Sequence, residues 1–273
     1  MIQIHPTLNC NNRCSFCSYR ESRGLTIDDC RLMIEKTSQS SIINQQSREL
    51  PYDKIEKVLY RAKCLGYTEL KISGGGEPLL YKRIISLICL AKYSGYYTYL
   101  QTNGTMLSMV HKRFVDDVRI SIGDGIDFAK CKTKHFANGY NYVVTANPDY
   151  DNLNNVIMSA INHNQYVKIT QDDTDIENAV SMDEIRNHIP QNPLITLWDV
   201  FSYQEGTNPC ESKSPLLGAD GYWYPCCRTQ YAKGKDLKTE DAEMRIGNID
   251  DDLEIVTKSS FDGSQCNRCY YDN

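Results

Sequence analysis

No apolar run in this chain approaches the roughly 20 residues needed to cross a bilayer as a helix, so a helical membrane anchor is not expected. The few residues ahead of Cys10 leave no room for a signal peptide, which argues against export. Basic blocks are missing too. Lysine and arginine number 30 against 35 acidic residues, spread along 273 positions, and the net charge of -5 offers no broad cationic surface to a nucleic-acid backbone. These absences predict a cytoplasmic protein with neither a membrane nor a nucleic acid as partner.

Cysteine, by contrast, is plentiful. Twelve cysteines in a secreted chain would suggest a disulfide framework, but in a reducing compartment the same number points to metal or redox chemistry. Seven of them fall into two groups near the ends. Cys30, Cys64, Cys89 and Cys131 stand alone and read as ordinary small core or surface residues.

The first group is Cys10, Cys14 and Cys17, in the run CNNRCSFC. A fully coordinated [4Fe-4S] cluster takes four cysteines, so a compact group of three leaves one iron open, as a metal that binds substrate directly requires. A zinc site and buried structural thiols are the other readings of three cysteines. Ile2 to Pro6 alternates apolar and polar residues and reads as a first strand, which places the cysteine loop at a strand's C-terminal end, where parallel α/β folds carry their chemistry. His5, on this strand, reads as a packed or capping residue.

The chain then alternates. Tyr52 to Leu65 has apolar residues at helical spacing, and Glu69 to Ser73 is a strand that runs into Gly74, Gly75, Gly76, Glu77 and Pro78. Glycines permit close approaches that a Cβ forbids, so this strand is expected to present bare amide and carbonyl groups to a bound partner. Helices follow at Lys82 to Tyr93, Ser108 to Phe114 and Leu153 to Asn162. Strands follow at Tyr96 to Gln101, Val118 to Ile122, Asn141 to Thr145 and Tyr166 to Gln171. Six strand-helix units predict a parallel sheet with right-handed crossovers. Gln171, Asp172 and Asp173 fall past the sixth strand and are expected at the mouth. The polar stretch Ser38 to Glu49 reads as a surface insertion.

CxxxCxxC with Phe16 before its last cysteine, followed by GGGEP after the second strand, resembles the radical S-adenosylmethionine (SAM) superfamily. The resemblance implies a partial (β/α)6 barrel and a [4Fe-4S] cluster on Cys10, Cys14 and Cys17. It also implies reductive cleavage of SAM to a 5′-deoxyadenosyl radical that abstracts a substrate hydrogen atom, with a reducing partner such as flavodoxin or ferredoxin. It makes Gly74, Gly75, Gly76 and Glu77 the binders of the SAM amino group, with Asn103 in the matching TNG turn. Ser121 is carried over to the SAM ribose and Arg119 to its carboxylate.

The stretch Leu194 to Tyr203 reads as a strand leaving the barrel, and the boundary is placed near Asn192, giving units 1–192 and 193–273. Cys210, Cys226 and the closing pair Cys266 and Cys269 form a second metal-site signal, for which zinc and iron-sulfur are both open. Asp220-Gly221 is expected to make a type I′ hairpin turn. C…GxxxxC, Gly247-Asn248-Ile249 and the final CxxC resemble a Twitch domain, a shortened SPASM relative, which implies one auxiliary [4Fe-4S] cluster. Cys227 is a bystander, an alternative ligand or a hydrogen-atom donor. The reading is an enzyme that oxidises or cross-links a sugar-like small molecule or a peptide, with a slight tilt to small molecules because no leader-recognition segment precedes the barrel. A peptide epimerase using Cys227 and a zinc-stabilised binding module are the alternatives.

Overall fold

The computed structural model describes residues 1–19, 49–128, 134–199, 210, 214–230, 244–258 and 261–266. Cys30, Cys131, Cys269 and the polar insertion up to residue 48 lie outside them. Ten strands among the described residues form one sheet: β1 Ile2–Ile4, β2 Glu69–Ile72, β3 Tyr97–Thr102, β4 Asp117–Gly123, β5 Gly139–Val144, β6 Tyr166–Gln171, β7 Ile195–Trp198, β8 Leu216–Leu217, β9 Tyr222–Tyr224 and β10 Gly247–Asn248. From β1 to β7 each strand pairs in parallel with the next in sequence. Such single-direction winding sets the crossover helices on one side, and the sheet curves around the other. This is the expected series of βα units, with β8, β9 and β10 added beyond β1, so that the edges of the sheet are β7 and β10.

Residue alternation decides the two faces. Leu70 and Ile72, Leu100, Val118, Ile120 and Ile122, Tyr140 and Tyr142, and Val167 and Ile169 are buried on one side, in a single core with the helices. Helix α1 (Tyr52–Cys64) buries Ile55, Val58, Leu59 and Ala62, the positions its spacing predicts. Helix α2 (Ile84–Tyr93) buries Ile84, Leu87, Ile88 and Ala91. Helix α3 (Tyr150–Asn162) starts where the Asp149 carboxylate accepts from the Asn152 amide at 2.9 Å. Two short helices, α4 (Met182–Asn187) and α5 (Leu253–Lys258), complete the layer. No helix among the described residues is long and apolar enough to cross a membrane.

Three local expectations are corrected. Ser108 to Phe114 is not one helix but two 3-10 turns, Leu107–Met109 and Lys112–Phe114. The His111 ring accepts from the Arg113 amide at 3.3 Å and competes with a continuous helical ladder. The stretch from Leu194 forms a strand that stays in the sheet, since β7 pairs in parallel with β6. The hairpin between β8 and β9 forms, but only Gly221 of its turn has a positive φ, at 84°. Asp220 instead accepts from the Tyr224 hydroxyl, fixing the turn through its side chain.

Leu100 is fully buried in the third strand. Leu100→Ala should lower the urea-unfolding free energy by about 2–5 kcal/mol, whereas Lys258→Ala, on an exposed helix turn, should change it by no more than about 0.5 kcal/mol.

Candidate functional site

The cysteine loop and the glycine turn are one structure. The Gly76 amide donates to the Thr7 carbonyl at 3.1 Å and the Glu77 amide to the Asn9 carbonyl at 2.7 Å. A Cβ on Gly76 would lie 2.1 Å from the Asn9 oxygen, and one on Gly75 would lie 2.7 Å from Leu8 Cδ2. A Cβ on Gly74 would lie 2.4 Å from the Gly76 carbonyl oxygen. None of these glycines has a positive φ, so contact rather than backbone freedom requires them. The bare amides expected to face a bound partner thus hold, at Gly76 and Glu77, the stem of the loop that carries Cys10, Cys14 and Cys17.

Glu77 is buried, 2% exposed. Its carboxylate accepts from Thr102 Oγ1 at 2.6 Å, from the Asn103 amide at 2.7 Å and from the Leu79 amide at 3.1 Å. Burial pushes this carboxyl up, and the three donors oppose that shift. Glu77 therefore joins the glycine turn to the end of β3. Asn103 continues the link, donating through Nδ2 to Asn11 Oδ1 at 2.8 Å, while Asn11 donates to Thr105 Oγ1 at 2.8 Å. Thr102 was not singled out from the sequence, although its place before Asn103 in the turn at the strand end could have pointed to it.

Beside this junction lies a cavity of about 830 Å³, lined by Asn12 to Ser15, by Asn103 to Thr105, and by Ile120, Ile122 and the turn from Asp124 to Phe128. It falls within the roughly 300–1,000 Å³ of small-molecule sites. Cys14 is on its wall. Phe16 packs on the end of β4, where a Cβ on Gly123 would lie 2.4 Å from its ring. Asp124, buried after that strand, accepts from the Tyr142 hydroxyl at 2.7 Å and from the Thr145 amide at 2.7 Å, so the cavity rim is fixed.

Arg119 and Ser121 point to the opposite face of β4 from Ile120 and Ile122, and neither lines this cavity. Arg119 is paired with Asp117 at 3.0 Å and lies over the rings of Tyr99 and Tyr166. Ser121 accepts from Gln101 Nε2 at 3.1 Å. The same inner face carries Lys71 and Lys168. Burial lowers both amines, that of Lys168 from 10.5 to about 8, with the neighbouring charges of Lys71 and Arg119 adding to the effect.

At the mouth, Asp173 accepts from Ser18 Oγ at 3.2 Å and pairs with Arg228, which is 4% exposed. Asp172 turns back to Thr174, and Gln171 donates to the Val180 carbonyl. His5 is packed, as expected. Its Nδ1 lies 2.6 Å from Gln230 Oε1 and 3.3 Å from the Tyr19 hydroxyl, and burial takes its pKa down to about 3. Arg228 and Gln230 are thus site-building residues that no sequence motif marked.

No three cysteine, histidine, aspartate or glutamate side chains among the described residues are gathered closely enough to hold a metal ion. Cys10, Cys14 and Cys17 share one loop, partly exposed, without converging. Their chemistry fits an iron-sulfur cluster: three soft thiols on a fixed stem, with the Asn12 amide already donating to Cys10 Sγ at 3.4 Å. In the C-terminal group, the Cys210 amide donates to the Phe261 carbonyl at 2.7 Å, and Cys266 packs with Cys227 and Phe261 around Leu216, Tyr224 and Met244. Cys226 lies outside that cluster, buried against Thr229, and burial followed by the adjacent Cys227 pushes its thiol up to about 12. Cys269 lies outside the described residues.

Gly76→Ala should cost about 1–3 kcal/mol in urea unfolding, because the new methyl group meets backbone rather than a yielding side chain. It should also reduce iron uptake during anaerobic reconstitution. For Lys168, a pKa depressed in the fold means that the unfolded chain binds the extra proton between about 8 and 10.5. This lysine's contribution to stability is therefore complete above 10.5 and is lost as pH falls through about 8. Urea midpoints measured across that window should climb less with pH in Lys168→Met than in the wild type.

Among solved structures, Streptococcus suis SuiB bound to precursor peptide SuiA is similar, with a TM-score of 0.61 and 14% identity over 94% of this chain and 64% of that chain. SuiB bound to S-adenosylmethionine gives a TM-score of 0.58 and 14% identity, over 92% of this chain and 64% of that one. The chain thus shares the SuiB fold and spans about 64% of its length. No curated protein matches the sequence. Residues 4–125, which run from β1 through the cysteine loop and glycine turn to the cavity rim after β4, match the Radical SAM superfamily model, so this part of the chain is a Radical SAM domain.

Proposed function

We propose that the chain is a radical SAM enzyme whose cluster is held by Cys10, Cys14 and Cys17 and whose SAM occupies the cavity beside them. The observation that carries this reading is the clamp of Gly76 and Glu77 on Thr7 and Asn9, which sets the cysteine loop, and Cys14 in particular, against a nucleoside-sized cavity. When bound, the cluster and SAM would supply a carbon-centred radical able to take a hydrogen atom from substrate. The chain's own part is to position. Glu77 and Asn103 tie the loop to β3, Phe16 seats it on β4, and Asp173 with Arg228 braces it at the mouth.

The glycine turn is proposed to meet the SAM amino group through its backbone, with Glu77 acting through the turn it holds. Ser121 and Arg119 face away from that cavity, so no contact of theirs with SAM in it is proposed. A peptide is the substrate class that the SuiB likeness supports, since that neighbour is bound to a precursor peptide. The unit 193–273 is proposed to hold one auxiliary cluster through Cys210, Cys266, Cys269 and one of the Cys226–Cys227 pair. It would take up the electron left after hydrogen abstraction and give net oxidation or a cross-link. Reduced flavodoxin or ferredoxin would supply the first electron, in a reducing cytoplasm.

A second reading, epimerisation, is favoured by one observation: Cys227 lies within charge range of both Lys71 and Lys168 on the inner face, where a thiol could return a hydrogen atom to substrate.

Anaerobically reconstituted protein should carry roughly eight irons, falling to about four in Cys10/Cys14/Cys17→Ala, and only the wild type should form 5′-deoxyadenosine from SAM with dithionite. Zinc in place of iron, or SAM cleavage by the triple variant, would overturn the reading. If the reaction is an epimerisation, Cys227→Ala should stop deuterium uptake from solvent into product while SAM cleavage continues.

A further inference from the structure

The inner face of the sheet carries two ammonium groups with no carboxylate paired to them among the described residues. Lys71 on β2 and Lys168 on β6 project away from the helix-packed core, each between apolar neighbours that point the other way. Neither forms an ion pair among the described residues, and Lys168 rests its ammonium 3.2 Å from the centre of the Trp198 ring. The charged neighbours acting on them are Arg119, Cys227 and, for Lys168, Lys71 itself; none is a carboxylate. Arg119 is answered by Asp117, so the excess positive charge belongs to the two lysines.

Two orphaned acceptors stand beside them. Gln3 is the cross-strand partner of Lys71, and Asn141 that of Lys168. Gln3 is 2% exposed, and among the described residues its Oε1 has no hydrogen-bond partner, nor does Asn141 Oδ1. Ammonium groups withdrawn from bulk water and buried amide oxygens without donors each cost free energy that a ligand of matching chemistry would recover. Such a ligand has an anionic group with a hydrogen-bond donor next to it.

We propose that Lys71 and Lys168, flanked by the Gln3 and Asn141 amides, form a substrate subsite for an anionic group, a carboxylate or phosphate adjoining a hydrogen-bond donor. It rests on the enzymatic reading above, in which the inner face is where substrate lies. An anion held there sits beside Cys227 and under the mouth braced by Asp173 and Arg228.

The test is isothermal titration of the anaerobically reconstituted full chain with inorganic pyrophosphate and with a capped tetrapeptide containing two central glutamates, against the same peptide with glutamines. At least one anionic probe should bind and the glutamine peptide should not. Lys71→Gln and Lys168→Gln should each weaken binding by about tenfold or more. Lys71→Arg and Lys168→Arg should retain it, which separates loss of charge from loss of fold, and Lys258→Gln should leave it unchanged. Pyrophosphate alone would point to a phosphorylated small molecule, and the acidic peptide alone to carboxylate side chains.

Binding of neither probe, or undiminished binding by the Lys71→Gln/Lys168→Gln double variant, overturns the proposal. Formation of 5′-deoxyadenosine without substrate, measured on the same preparations, keeps the two readings apart. Its absence from the wild type with anion binding intact would sink only the radical SAM reading, and its presence with no anion binding only this one.

Discussion

The site depends on one close backbone contact, the passage of the glycine turn across the stem of the cysteine loop. At 2.1 Å from the Asn9 oxygen to a notional Cβ, no side chain fits at Gly76. The contact joins segments almost seventy residues apart in sequence, and the Glu77 carboxylate then accepts three hydrogen bonds within the protein, from Thr102, Asn103 and Leu79. A buried carboxylate is tolerable there because three donors meet it. Through the backbone and side chain of that one residue the ends of β1, β2 and β3 are joined, and the cavity lies beside the junction.

Much of this was legible in the sequence because period and spacing carry it. The buried stripe of α1 and the two faces of β4 follow from residue alternation, and the cysteine spacing with GGGEP marks the site and the superfamily. Illegible were the contacts that depend on where strands lie relative to one another. Nothing local says that the strand from Ile195 stays in the sheet, that Arg228 reaches Asp173, or that Gln230 reaches His5. The glycines were read as open to a ligand, whereas the space they keep is filled at Gly75 and Gly76 by Leu8, Tyr19 and Asn9. The Asp220–Gly221 turn is expected from the tolerance of both residues for a positive φ, whereas only Gly221 has one and Asp220 holds the turn by accepting from the Tyr222 amide and the Tyr224 hydroxyl.

The two faces of the sheet divide the labour. The helix side is apolar and supplies stability, with Leu100, Ile120 and Tyr142 packed among helices. The inner side is aromatic and cationic, lined by Tyr99, Arg119, Tyr166, Lys71 and Lys168. It is kept in place by that packing rather than contributing to it. A surface freed from the work of holding the fold together can carry unmatched charge.

One feature of the sheet order bears on how the protein is made. β1 lies between β2 and β8, with Gln3 and His5 donating to the Pro215 and Leu217 carbonyls. The strand that leads into the cysteine loop thus keeps a free edge until the segment around Leu216 and Leu217, more than two hundred residues later, has been made. β2 is made long before β8, so the two edges of β1 are covered at different times. A cluster loaded on the proposed cysteines would therefore meet either a loop on a half-paired strand or a loop locked between two, depending on whether it comes before or after β8 is in place.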